Sequence, residues 1–239
     1  MSYNDIAQYV EPLLRASARQ EEPWLRKLFR DPATYDTYSS LNNEFFLGGA
    51  DFTGTLLVSS AARAEGRTTL AMLLAVLSGA FNPSWKVLLV DADVYNGRLA
   101  ATFGLKGTNR GLRELFKGDA SPAECFHPTA LSNLWLTPRA KEPDQAVRIS
   151  PKAFQAFIGE ARSRFDCVIV DSPAGGSGMD VPLMASLVKN VLLVVKYGGP
   201  TYEQIQDLLA NFKRVEARVL GAVLNQREYV VPRWLYGSK

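Results

Sequence analysis

Histidine and cysteine are scarce in this 239-residue chain, which has one His and two Cys. A zinc site needs several such ligands at short spacing, and Cys125 and Cys167 stand far apart with no C-x-x-C, so neither structural zinc nor a disulfide framework is indicated. Both thiols read as reduced packing groups, as in a cytoplasmic protein. His127 falls in a Pro-flanked connection without a paired nucleophile and reads as a surface residue. Long apolar runs are lacking too: none approaches the roughly 20 residues that span a bilayer. The first residues, with Asn4, Asp5 and Glu11, lack the basic-then-apolar pattern of a signal segment. The expectation is a soluble chain with no direct membrane insertion, peripheral to a membrane only through a partner. An excess of one charge sign is also missing. The 27 Lys+Arg face 24 Asp+Glu, a net charge of +3, and no basic run is there to track a phosphate backbone, which argues against nucleic acid.

What the chain does have is enough apolar material, 47% of its residues, to bury the core of one α/β domain. Apolar positions at helical spacing run from Tyr3 to about Arg30 (Ile6, Tyr9, Val10, Leu13, Leu14, then Trp24, Leu25, Leu28, Phe29), interrupted at Pro12 and Pro23. A second helix is expected over Asp36 to Leu47. Residues 1–50 thus read as a helical arm and 51–239 as the main domain. Beyond Thr55, short β-branched or Leu/Val-rich runs (Thr55–Val58, Lys86–Val90, Leu134–Thr137, Cys167–Val170, Val191–Val195, Val219–Leu224) alternate with longer helical patterns. That alternation predicts a three-layer α/β fold: a mostly parallel central sheet with crossover helices on both faces.

The first of these runs leads into Ser60-Ala61-Ala62-Arg63-Ala64-Glu65-Gly66-Arg67-Thr68-Thr69, which opens a Leu-rich helical segment. This is the layout of a phosphate-cradling P-loop, in which backbone N–H groups and a helix N-terminus surround phosphates, a lysine reaches the terminal phosphate groups and Ser/Thr holds magnesium. Gly66, Thr68 and Thr69 are in register with that scheme. Ala61 stands at the first glycine, and Arg67 stands where the lysine belongs. Two further strands end in carboxylates, Asp91 and Asp93 after the second run of the sheet-forming pattern and Asp171 after the fourth, before Ser172-Pro173. Acids leaving buried strands beside a phosphate loop suit magnesium, which takes one or two carboxylates together with waters and phosphate oxygens. Each Asp alone is equally suited to capping a helix or starting a turn.

These residues together resemble the P-loop ATPases of the deviant Walker class, and within it the bacterial tyrosine autokinases of capsule and exopolysaccharide assembly. The resemblance covers about Tyr35 to Gln226. The family loop, approximately S-x-x-P-x-E-G-K-[ST]-T, is similar to Ser60–Thr69, with Glu65-Gly66 kept. V-D-A-D-x-R is similar to Val90–Tyr95, V-I-[IV]-D-[ST]-P to Val168–Pro173, and the strand that ends in an adenine-reading asparagine to Leu220–Asn225. Asp180 stands at a family acidic position. Septum-placement and plasmid-partition ATPases share these core motifs but have an early loop lysine, which here is Ala62. The resemblance implies ATP or ADP with Mg²⁺ as ligands. It places the backbone of Ala64, Glu65, Gly66, Arg67 and Thr68 around phosphates with Thr69 following, Thr68 and Asp93 on magnesium, Asp171 on a magnesium-bound water, Asp91 near the attacking group and Asn225 on the base. It also implies an inner-membrane polysaccharide co-polymerase or export protein as partner, and leaves a homo-oligomer open.

The chain departs from that pattern at several functional positions. Arginine is a planar fork and lysine a compact point charge, so Arg67 is not a conservative exchange at a phosphate contact. The family's E-x-x-R-x-x-R oligomerisation motif reads Asp36 to Asn42 without either arginine, the arginine of the second motif is Tyr95, and the tyrosine-rich tail is reduced to Tyr229 and Tyr236. The expectation is therefore a degenerate, pseudokinase-like nucleotide-binding regulator, with an active ATPase or tyrosine kinase and a positioning ATPase as the alternatives.

Overall fold

The computed structural model describes residues 3–18, 28–29, 31, 40–41, 54–94, 97–105, 110–139, 148–175 and 180–226. The expected helix over Asp36–Leu47 lies outside these apart from Ser40 and Leu41, which are helical. Trp24, Tyr95, Tyr229 and Tyr236 also lie outside the described residues.

Seven strands form one sheet: β1 (Thr55–Ser60), β2 (Val87–Asp91), β3 (His127–Pro128), β4 (Leu134–Thr137), β5 (Cys167–Asp171), β6 (Asn190–Lys196) and β7 (Arg218–Asn225). Their order is β3-β4-β2-β5-β1-β6-β7. Every neighbouring pair is parallel except β3–β4, where His127 opposes Leu136 and Pro128 opposes Trp135. The strands β1, β2 and β5 are buried along their whole length, as strands covered by helices on both faces must be. β3 has no signature in the sequence because two residues, one of them proline, are too short for any periodicity to register. His127 keeps to the surface as expected, its Nε2 lying 2.7 Å from the Arg110 carbonyl oxygen.

Seven α-helices accompany the strands among the described residues: α1 (Tyr3–Ala18), α2 (Arg67–Phe81), α3 (Leu99–Thr102), α4 (Leu112–Lys117), α5 (Pro151–Arg164), α6 (Asp180–Val188) and α7 (Tyr202–Arg214). Helix α2 is apolar around its whole circumference, with Leu70 through Ala80 all buried, the pattern of a helix enclosed on every side. The sheet covers one side of it. α1 covers another, contributing Ile6, Val10, Leu13 and Leu14, joined by Phe29, to the same apolar cluster. α1 runs straight through Pro12, where an interruption is expected; Pro12 faces solvent on the exposed side of the helix. On the other face of the sheet α5, α6 and α7 close a second cluster around Phe154, Phe157, Met184, Leu208 and Phe212. Phe126 and Trp135 extend it, both packing their rings edge-on or tilted against Phe165 or Phe157. No helix among the described residues is long and apolar enough to cross a membrane.

A polar latch joins α1 to the core. The Tyr9 hydroxyl donates to Asn133 Oδ1 at 2.6 Å, and Asn133 Nδ2 donates to the carbonyls of Gly79 and Trp85, each at 3.0 Å. Burial holds the Tyr9 hydroxyl protonated far above the ordinary phenol range. A Cβ on Gly79 would lie 2.5 Å from that hydroxyl and 3.1 Å from Asn133 Oδ1, so a larger residue there would displace the latch.

Both cysteines are fully buried, and burial pushes each thiol up to about 12. Only the thiolate attacks alkylating reagents, and below that pH the thiols stay protonated. Iodoacetamide at mildly alkaline pH is expected to label neither Cys125 nor Cys167 in the folded protein and both after denaturation, as read by intact-mass measurement. Rapid labelling of the native chain would contradict this burial.

Candidate functional site

The strand order carries the predicted acids to the loop. β5 lies between β1 and β2, and the parallel register sets Asp171 beside both Val58 and Asp91. Since β1 ends two residues beyond Val58, the loop that follows leaves the sheet at the same carboxyl edge as the acids, the position where open α/β sheets bind ligands.

The loop owes its shape to two residues in the left-handed region, Ala64 at φ 60° and Gly66 at φ 92°. Glycine is required at 66, because a Cβ there would fall 2.0 Å from Asn225 Nδ2. That amide donates to the Glu65 carbonyl at 2.8 Å, so Asn225, at the end of β7, rests on the loop backbone. The Glu65 side chain braces the loop from within. It is 2% exposed, one carboxylate oxygen accepts from the Ala62 N–H at 2.7 Å, and the other accepts from the Lys196 N–H at the end of β6 at 3.0 Å. Both residues that resemble nucleotide contacts in the family therefore fasten the loop to β6 and β7 here.

Arg67 is the first residue of α2 and is 9% exposed. Its guanidinium lies across the site: Nε donates to Asp171 Oδ1 at 3.0 Å, Nη2 to Asp93 Oδ2 at 3.3 Å, and Nη1 to Ser60 Oγ at 3.0 Å. The Ser60 hydroxyl in turn donates to the Ala62 carbonyl at 2.9 Å. One cation thus joins the ends of β1 and β5 to the loop after β2.

The acids differ in their surroundings. Burial pushes the Asp171 carboxyl up to about 6, while the Arg67 charge and the Thr68 hydroxyl pull it down. Its Oδ2 nonetheless has no well-formed hydrogen bond; the Thr68 hydroxyl acts on the group without making one to that oxygen. Asp91, 1% exposed, is driven well above the ordinary carboxylate range by burial first and then by the charge of Asp171, against the opposing pull of its bond from the Leu99 N–H. That bond is 3.1 Å long. A Cβ on Gly97 would lie 2.4 Å from both Asp91 oxygens, so Asp91 is packed beneath the segment that leads into α3.

Above the loop lies a cavity of about 530 Å³. Of the sequence-predicted residues, Ala64, Glu65, Gly66, Arg67, Thr68, Thr69 and Asp93 line it, whereas Asp91, Asp171 and Asn225 do not. Its rim also holds Arg63 and Arg98, both exposed. Arg98 escapes motif reading because it lies beyond the second motif; the signal that points to it is its place just before α3, a few residues past Tyr95, where the family motif has its arginine.

Magnesium does not suit this arrangement. The two carboxylates available to it, Asp93 and Asp171, both accept from the Arg67 guanidinium, and a divalent cation beside that group would be repelled at short range. What the arrangement can do is present backbone amides, a helix N-terminus and guanidinium N–H groups to an anion.

No protein-family model matches the chain. Among characterised proteins it is 30% identical over 174 residues to the tyrosine-protein kinase wzc of Salmonella typhi, covering 71% of this chain and 23% of that protein. It is 25% identical over 214 residues to the tyrosine-protein kinase CpsD of Streptococcus agalactiae, covering 89% of this chain and 92% of that one. The chain thus spans about a quarter of the Salmonella protein and nearly all of the streptococcal one. Among solved structures, the kinase domain of the Escherichia coli tyrosine kinase ETK superposes with a TM-score of 0.68 at 19% identity, covering 82% of this chain and 79% of that domain. The septum site-determining protein MinD of Pyrococcus horikoshii, complexed with Mg-ADP, gives a TM-score of 0.60 at 23% identity over 71% of this chain and 68% of that one. With bacterial tyrosine-protein kinases as its sequence relatives and kinase and ATPase domains as its structural neighbours, the chain has the fold of the P-loop ATPases and a sequence akin to the bacterial tyrosine-protein kinases.

Proposed function

We propose that this protein is a nucleotide-binding regulator of bacterial capsule or exopolysaccharide assembly whose kinase chemistry has lapsed, acting beside an inner-membrane polysaccharide co-polymerase or export protein. The observation that carries this reading is the fate of Arg67: the side chain at the position of the phosphate-reaching lysine is engaged by Asp171, Asp93 and Ser60. Phosphoryl transfer depends on positioned charge around the terminal phosphate. A guanidinium anchored at three points leaves that role poorly served, and misplacement of about 1 Å in such a site costs roughly 100-fold in rate. The loop itself is braced in an open, cradle-like form by Glu65 and Asn225, which supports binding without turnover. The location beside a membrane partner rests on the resemblance of the loop and strand-end motifs to the capsule and exopolysaccharide kinases.

The test compares the natural protein with Arg67→Lys for phosphate release from ATP and for tyrosine phosphorylation. Activity in the lysine variant alone is expected, because lysine restores a mobile point charge to the site. Equal, substantial activity in the natural protein would overturn the lapsed-kinase reading.

A further inference from the structure

Resting on the nucleotide reading above, we infer that this site takes its polyphosphate ligand free of magnesium, with the Arg67 guanidinium serving as the built-in cation. Three observations lead there. Asp93 and Asp171, the two carboxylates a divalent ion would need, already share one buried guanidinium at 3.3 and 3.0 Å. That guanidinium has five N–H groups, of which three are committed to Asp171, Asp93 and Ser60, and Arg67 itself lines the cavity. Two N–H groups remain, on a side chain that lines the cavity, for anionic oxygens entering over the loop.

The third observation is the charge of the cavity lining. It holds three guanidiniums, Arg63, Arg67 and Arg98, against two carboxylates, Glu65 and Asp93. Glu65 is occupied by the N–H groups of Ala62 and Lys196 and Asp93 by Arg67. Losing magnesium makes a nucleoside di- or triphosphate more negative by about two charges, the charge of the ion itself. The two exposed rim guanidiniums, Arg63 and Arg98, therefore favour the metal-free anion over the magnesium complex.

The experiment measures ATP and ADP binding to the natural protein by calorimetry, once with excess magnesium and once in EDTA, with a melting scan in magnesium alone as a separate arm. Binding in EDTA is expected to be at least as tight as in magnesium, and magnesium alone is expected to leave the melting temperature unchanged. In Arg67→Lys the preference is expected to reverse, to roughly tenfold tighter binding with magnesium. Binding of the natural protein only when magnesium is present, or a rise in melting temperature with magnesium alone, would overturn this inference while leaving the nucleotide reading intact. Absence of binding in both buffers would overturn the nucleotide reading and this one with it. The comparison of magnesium with EDTA uses only the natural protein and so decides the matter even if Arg67→Lys fails to fold.

Discussion

Arg67→Met is expected to destabilise the folded chain by about 3–5 kcal/mol, the range for removing one partner of a buried ion pair. For a chain of this size that corresponds to a fall of roughly 6–20 °C in melting temperature. The reason is that Arg67 is the shared counterion of two acids. Methionine matches its length and apolar stem but leaves Asp171, which is fully buried, and Asp93 without their cation. The loss also carries a pH signature. Asp171 sits at about 6 in the folded state against an ordinary 3.8. A carboxyl raised by folding binds its proton more tightly in the native state, so its ionisation lowers stability as pH climbs from about 4 to about 6. Removing Arg67 takes away the largest force holding that value down, which moves the upper limit of the window higher. The deficit of Arg67→Met at neutral pH is therefore expected to shrink on acidification toward about pH 5, as protonation removes the orphaned charge. Urea or thermal melts of both proteins across that range check the result. A variant as stable as the natural protein at neutral pH would show that the guanidinium is dispensable to the fold.

Glu65→Ala is expected to have the next largest effect, a loss of roughly 2–4 kcal/mol, because two hydrogen bonds to a charged acceptor disappear together. The Ala62 and Lys196 N–H groups lose their acceptor at a site where Glu65 itself is 2% exposed. The loop would then hang from β7 by the Asn225 contact alone. Nucleotide affinity is expected to fall along with stability, since the cradle loses the brace that holds its amides in place. Glu65→Gln retains an acceptor oxygen for one of the two amides and is expected to recover about half of the loss. Melting temperatures of the three proteins, with and without ATP, check both parts. If Glu65→Ala melts with the natural protein but binds no nucleotide, the side chain acts on the ligand directly and not as a brace.

The sheet was the most legible part of the sequence because buried parallel strands announce themselves as apolar runs between turn signals. Leu134–Thr137 is found with the same limits. β1 extends beyond its apolar run into Ser59 and Ser60, where register with β6 continues the strand through residues with little intrinsic preference for it. Pro12 misled for a local reason: proline is costly inside a helix, but burial of Ile6, Val10, Leu13 and Leu14 against α2 outweighs it. The acids were legible by residue type and position but not by direction. Spacing shows that Asp91, Asp171 and Asn225 end strands at one edge of the sheet. It does not show that Asp91 folds under Gly97, that Asn225 lies against Gly66 or that Arg67 reaches across to Asp171, 104 residues away. Those directions depend on which strands are neighbours, and strand order is a long-range property no local pattern carries.

The Tyr9–Asn133 latch has a consequence for biosynthesis. The two residues are separated by 124 positions, so at a synthesis rate of about 5–20 residues per second the hydroxyl waits roughly 6–25 s for its acceptor to be made. Throughout that interval the greasy stripe of the first helix has no finished surface to settle on. The first helix is therefore fastened to the core only after Asn133, the residue just ahead of the fourth strand, has left the exit tunnel.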